Sequence, residues 1–412
     1  MNYNLSHTDP FLATLLDAEK ERQKNTLTLI ASENYASPAV MQAQASLLSN
    51  KYAEGYPGKR YYAGCTIADK VENLAIERCK KLFKADYANM QPHAGSQANM
   101  AVYHALIKPG DTILGMSLSS GGHLTHGHTV SFSGSLYNAV QYGVDKETEL
   151  LNYNTIEQLA HTHKPKIIIA GASAYSRIID FEKFANIAQS VGAYLLADIA
   201  HIAGLVATDL HPSPVGFADC ITSTTHKTLR GPRGAFILAK SHLGESIDKA
   251  LMPGLQGGPM MHTIAAKAAA FELALQPEFA IYQKQVLANA QALSKAFIAR
   301  GYRIVSSGTE NHLFTLDLTS KKVTGLQAEK ILEVVGITTS RSTIPFDTQK
   351  PWIGSGIRLG TPAVTTRGMR EIEMELLAEI IDSVLSAPED ANIQKKAAAK
   401  IKDLCIQYPL EL

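Results

Sequence analysis

Cysteine is scarce in this chain and poorly placed for chemistry. Cys65, Cys79, Cys220 and Cys405 are scattered and form no C-x-x-C pair. That spacing argues against a disulfide framework and against zinc held by thiolates, and it suits a reducing cytoplasm. Charge of one sign is lacking as well, since 39 basic against 38 acidic residues leave a formal net charge of +1. Such a balance carries no electrostatic footprint for nucleic acid or for an anionic membrane surface. No apolar run reaches the ~18 residues that a membrane-spanning helix needs. Residues 1–7 lack the basic-then-apolar pattern of a secretory signal. Internal repeats and low-complexity segments are missing too.

What remains is an ordinary globular composition, 45% hydrophobic and 19% charged over 412 residues. A chain of that size holds roughly two or three domains. Asp9-Pro10, followed by Phe11, Leu12, Leu15 and Leu16, predicts a capped helix to about Gln23. Val71, Leu74, Ala75 and Leu82 predict another over residues 71–82. Residues 166–170 and 194–197 read as fully buried strands with a helix over 181–191 between them. The section from about Ala85 to Pro277 is therefore expected to form a mostly parallel sheet covered by helices on both faces. Gln276-Pro277-Glu278 marks the start of a second domain, with a long helix over 279–300 and strands at 303–305 and 313–318. The last helix, 393–408, is basic, and its lysines read as a solvated face. Residues 51–65, rich in Tyr, Gly and charge, have no core periodicity and read as an exposed binding loop rather than a buried element.

The most telling stretch runs from Ile221 to Gly234. A β-branched run leads into His226-Lys227, a Gly/Pro turn follows, and the apolar run Ala235–Ala239 leaves it. Lysine is seldom buried unless something pairs or reacts with it. Burial lowers its pKa and frees the neutral amine to attack carbonyls, which makes Lys227 a candidate Schiff-base residue.

Further signals fall where an α/β sheet binds its ligands, beyond the carboxyl ends of the strands. The polar turn of residues 91–99 opens onto a helix, so free N–H groups at Gly95 and Ser96 suit a phosphate. Asp198 directly follows a strand and suits pairing with a protonated pyridine nitrogen. His123, His126 and His128 lie among glycines at a spacing that invites zinc, yet no cysteine or carboxylate lies within that cluster. One flat imidazole stacked on an aromatic cofactor explains it better. Arg358, on a short glycine-flanked run, offers a bidentate fork for a carboxylate. Together these residues point to a pyridoxal phosphate (PLP) enzyme acting on an amino acid, with no metal.

With these motifs the chain resembles the serine hydroxymethyltransferase family, of the aspartate-aminotransferase-like fold type I, from about residue 9 to residue 385. The resemblance is carried by residues 51–62 (KYAEGYPGKRYY), 121–127 (GGHLTHG), 225–234 (THKTLRGPRG) and 256–259 (QGGP). It implies an N-terminal arm over 1–30, a large PLP-binding α/β domain over 31–276 and a smaller α+β domain over 277–412. Lys227 would hold PLP covalently beside His226, Asp198 would meet the ring nitrogen, and His123 would stack on the ring. Ser173 and His201 would lie near the phenolic oxygen. Gly95 and Ser96 would bind the phosphate, helped across a homodimer by Tyr52 and Gly258. Arg358, with Ser32 beside it, would clamp the substrate carboxylate. Glu54 and Tyr62 of the partner subunit would handle protons on the hydroxymethyl group, and Leu118, Gly122 and Leu124 match positions lining the folate site.

The implied reaction is reversible transfer of the serine hydroxymethyl carbon to tetrahydrofolate, in a cytoplasmic homodimer. Alanine stands at 63 and 94 where the family usually has glycine and serine. Thr339-Ser340-Arg341-Ser342-Thr343 replaces an N-K-N stretch, and Trp352 replaces a phenylalanine. Ser342 has no amide fork for the pterin, so weaker folate binding is expected. Rival readings are a folate-independent aldolase or α-substituted-serine hydroxymethyltransferase of the same fold, and an inactive paralogue acting as a binding protein. Intact Lys227, Asp198, His123 and Arg358 argue against the last.

Overall fold

Seven strands make the central sheet of the computed structural model, which describes residues 4–410. They are β1 (Tyr87–Asn89), β2 (Thr112–Met116), β3 (Asn138–Tyr142), β4 (Ile167–Gly171), β5 (Tyr194–Asp198), β6 (Cys220–Thr224) and β7 (Ala235–Ala239). Their order across the sheet is β1-β7-β6-β5-β4-β2-β3. Only β7 runs against its neighbours, pairing antiparallel with β1 and β6, and the other pairings are parallel. The Ile-Ile-Ile-Ala-Gly run of β4 is buried throughout because the sheet is covered on both faces. Alternate side chains still feed different cores. Ile168, Ala170, Leu195 and Ile221 pack on one face, and Ile167, Ile169, Leu196 and Cys220 on the other. The parallel alternating architecture expected from the apolar runs is what forms.

A second, four-stranded sheet contains β8 (Arg303–Ile304), β9 (Leu313–Asp317), β10 (Ser340–Ser342) and β11 (Gly356–Gly360) in the order β8-β9-β11-β10, all antiparallel. The long helix Pro277–Ala299 begins with proline in its first turn, where a missing N–H costs nothing. Leu293 and Phe297 of that helix pack with Phe314, Leu316, Ile357 and Leu359 of the sheet. Leu27 and Leu29 lie in this same core, and Leu27–Thr28 pairs in parallel with Ile337–Thr338. The end of the expected N-terminal arm thus forms a small two-stranded sheet of its own over the C-terminal core, a long-range pairing that local periodicity does not reveal. The helices Pro10–Asn25, Thr66–Phe83 and Ala391–Gln407 extend or shift the expected ones by a few residues. Among the described residues, no helix is long and apolar enough to cross a membrane.

One expectation needs correction. The stretch 51–65 is not wholly exposed, because the Arg60 side chain is 3% exposed. Its guanidinium meets Glu72 at 2.6 Å and Asp69 at 2.8 Å on helix Thr66–Phe83, and donates to the Ala53 and Gly55 carbonyls. Gln91 joins by donating to the other Glu72 oxygen and to Gly55. A charged side chain is buried there because each of its three nitrogens has a partner. Removing one partner of a buried pair strands the other, so Arg60→Leu should destabilise the fold by about 3 kcal/mol. Arg60→Leu/Glu72→Leu should recover part of that loss. Chemical denaturation at fixed protein concentration tests both, and a single variant as stable as wild type would refute the pairing.

Candidate active site

Parallel strands deliver their carboxyl ends to one side of the sheet. Met116, Gly171, Asp198 and Thr224 end β2, β4, β5 and β6 there, and a cleft of about 470 Å3 opens beyond them. Lys227, Asp198, His123, His201, Arg358 and Ser173 all line it. So do Ser32, Gly95, Ser96 and His226, with Leu118, Gly122 and Leu124 on one wall. Gly171 pairs in register with Asp198, and a Cβ there would stand 2.3 Å from the Asp198 carbonyl oxygen. Only glycine lets the two strand ends come so close.

Asp198 anchors a buried hydrogen-bond array. Its Oδ2 accepts from Asn99 Nδ2 at 2.9 Å and from His126 Nε2 at 3.0 Å, and its Oδ1 accepts from the Ala200 N–H at 3.0 Å. His126 Nδ1 accepts from the His123 N–H, so the imidazole proton sits on Nε2, facing the carboxylate. Asn99 is oriented in turn by Thr222 and Thr125. Burial pushes the Asp198 carboxyl up, but the His126 and Asn99 hydrogen bonds and neighbouring imidazoles outweigh it and hold the group well below the usual range. The nearest metal-like grouping among the described residues is His123, His126 and Asp198. The donor atoms of His126 and Asp198 are already directed at each other, which favours an anchored carboxylate over a metal site.

The cationic side of the cleft is less satisfied. Burial lowers Lys227 to about 8, opposed by Asp198 and reinforced by Arg358 and Arg233. Burial lowers Arg358 to about 10; one Nη1 donates to the Ser173 carbonyl at 2.7 Å, while its buried Nε has no partner among the described residues. His226 Nδ1 is buried without a partner too. Ala94 precedes helix Gly95–Leu106 and gives it no side-chain cap, so its first N–H groups face the cleft uncapped. An anion site, an ionised ring partner, an amine near neutrality and a guanidinium with a free edge fit a phosphorylated pyridine aldehyde and an amino-acid carboxylate.

Other expected residues lie apart from this cleft in the single chain. The Tyr52 hydroxyl donates to Glu54 at 3.0 Å, the Tyr52 and Tyr62 rings meet edge-on at 5.1 Å, and Tyr52 packs against Gly258. Tyr52, Glu54, Tyr62 and Gly258 form their own cluster, outside the cleft lining. Ser342 and Trp352 are outside it as well. The Ser342 hydroxyl donates to the neighbouring Thr343 carbonyl, and exposed Trp352 lies under the Lys350 ammonium. Sequence reasoning gave no role to Asn99, Thr222 or His312. Asn99 stands one helical turn beyond Gly95, a spacing that could have placed it over the same site.

The buried imidazoles set a direction for acid stability. Burial lowers His123 to about 4 and His226 and His312 to about 3, all from an ordinary 6.5. As pH falls below 6.5, the unfolded chain therefore takes up protons before the fold does, so stability drops with falling pH down to about 4. Above 6.5 this contribution is constant. Urea midpoints measured against pH should fall over that window, and less steeply in His312→Asn. Midpoints independent of pH there would contradict neutral burial.

A comparison with family models agrees with this geometry. The serine hydroxymethyltransferase model matches residues 5–381 of the 412. That family consists of PLP-dependent transferases acting on serine, glycine and folate. With all but its two ends inside the match, the chain belongs to the serine hydroxymethyltransferase family.

Proposed function

We propose that this cleft, with PLP held covalently on Lys227, transfers the hydroxymethyl carbon of serine to tetrahydrofolate, giving glycine and 5,10-methylenetetrahydrofolate. The observation that carries the reading is a desolvated amine, lowered to about 8, lining the same cleft as an ionised carboxylate and a guanidinium with a free Nε. Bound PLP supplies an electron sink for the negative charge that develops on Cα as the Cα–Cβ bond breaks.

The chain's own groups prepare that step. Near neutral pH an appreciable fraction of Lys227 is the free amine, which is the nucleophilic form. Asp198 would meet the ring nitrogen and favour its protonated form, because an anion fixed by three donors favours a cation beside it. The His123 ring, neutral because it is buried, presents a flat face without competing charge. The N–H groups at Gly95 and Ser96 would take the phosphate, and His226 and His201, lining the same cleft, would meet the polar edges of the ring. Arg358 uses one nitrogen to hold Ser173 and keeps its free edge for the substrate carboxylate, with Ser32 beside it.

Protons on the hydroxymethyl group need Glu54 and Tyr62, and in this reading they arrive from a second copy in a homodimer, with Tyr52 and Gly258. Supporting this, Tyr52 and Tyr62 are exposed, and so are Phe11, Leu15, Leu16 and Leu47, apolar side chains that call for a cover. Four free, buried cysteines suit a cytoplasmic setting. Because the Ser342 hydroxyl is engaged by Thr343, tetrahydrofolate is expected to bind more weakly than an asparagine there would allow.

Serine cleavage assayed with and without tetrahydrofolate tests the reaction. Turnover should depend on folate and vanish in Lys227→Ala along with the visible absorbance of lysine-bound PLP. Folate-independent turnover of equal rate, or an active Lys227→Ala, would overturn it. Mixing inactive Glu54→Ala with inactive Lys227→Ala under subunit exchange should restore activity, because a mixed dimer rebuilds one intact site. No recovery despite demonstrated exchange would mean that the sites are not shared.

A further inference from the structure

Behind the cleft, the residue after Ser32-Glu33 makes a set of contacts that the chemistry above does not use. Asn34 Nδ2 donates to the Lys227 carbonyl at 3.0 Å and to the Tyr282 hydroxyl at 2.9 Å. Its Oδ1 accepts from the Tyr35 N–H at 2.9 Å and from Thr366 Oγ1 at 2.7 Å. Two donors and two acceptors are the whole capacity of an amide.

The partners come from separate parts of the fold. Lys227 lies in the turn after β6, Tyr282 on helix Pro277–Ala299, and Thr366 at the end of helix Pro362–Thr366. That last helix directly follows β11, the strand of Arg358. The Tyr282 hydroxyl donates onward to the Pro362 carbonyl at 3.0 Å, so one chain of hydrogen bonds runs from the lysine backbone to the end of the arginine strand. Among the described residues, the Lys227 carbonyl otherwise receives only the local Arg230 N–H at 3.1 Å. Aspartate could not donate to that carbonyl, and glutamine would overshoot by a methylene.

We propose that Asn34 is a positioning residue for Lys227, tying the lysine backbone to the elements that carry Arg358 so that amine and carboxylate clamp hold one separation. The inference rests on the reading of Lys227 as the PLP-bearing residue.

Absorbance titration with PLP and serine kinetics on wild type, Asn34→Ala and Tyr282→Phe test it. Loss of the bond to the lysine carbonyl should weaken PLP binding through Lys227 on the order of tenfold in Asn34→Ala and lower kcat with it. Tyr282→Phe keeps the bond from Asn34 to the lysine carbonyl but removes the hydroxyl that Asn34 and Thr366 donate to and that donates to Pro362, so PLP should bind as in wild type while KM for serine rises. If Asn34 matters only for packing, both variants lose thermal stability with PLP affinity and KM unchanged, and the proposal falls. Should Asn34→Ala fail to fold, Thr366→Val removes one donor from Oδ1 and should weaken PLP binding by a smaller factor; no change there overturns the proposal equally. A wild type without lysine-bound absorbance would overturn the lysine reading and this one with it. Normal wild-type absorbance beside an unchanged Asn34→Ala overturns this one alone.

Discussion

A carboxylate taken out of water is costly to keep ionised, and at Asp198 three hydrogen bonds offset that cost. Each donor is itself held: Asn99 by Thr222 of β6, His126 by the backbone at His123, Ala200 by its place just past β5. The strand ends, the helix at Gly95 and the glycine-rich turn at His123 are therefore tied together through one charged group. Shifting any of them would leave a buried anion short of donors. That dependence explains why Gly171 has no room for a side chain and why Thr222, in the middle of a fully buried strand, is polar.

The rest of the cleft follows from rationing charge. His123 and His201 stay neutral because burial and nearby Lys227 and Arg358 oppose a further cation. Lys227 is softened toward its free amine by the same crowding, and Arg358 stays charged because its guanidinium starts so high. Farther back, Lys267 is almost wholly buried and donates to the Met90, Pro92 and Ala235 carbonyls, which fixes the turn leading into Gly95. Neutral imidazoles thus line the site beside the full charges of Asp198 and Arg358.

Much of this was legible beforehand because it is local. Continuous apolar runs separated by helical periods imply a covered parallel sheet, and such a sheet puts Asp198 and Lys227 at the same edge. A lysine between two strands and an arginine between glycines stand out by residue type alone. Partnership across the fold was not legible. Nothing near Arg60 announces that Glu72 and Gln91 will bury it, and nothing near Leu27 announces Ile337. His126 read as one more histidine in a cluster because its partner lies 72 residues away. That Tyr52, Glu54 and Tyr62 cluster outside the cleft lining of their own chain is likewise a matter of the folded arrangement and not of local pattern.

The central claim is that Asp198 remains ionised and holds a proton on the cofactor's ring nitrogen. Nitrogen-15 NMR of the protein reconstituted with ring-labelled PLP reads that proton directly. At neutral pH the wild type should show a protonated pyridine nitrogen and Asp198→Asn an unprotonated one. An unprotonated nitrogen in the wild type, or the same signal in both proteins, would contradict the account.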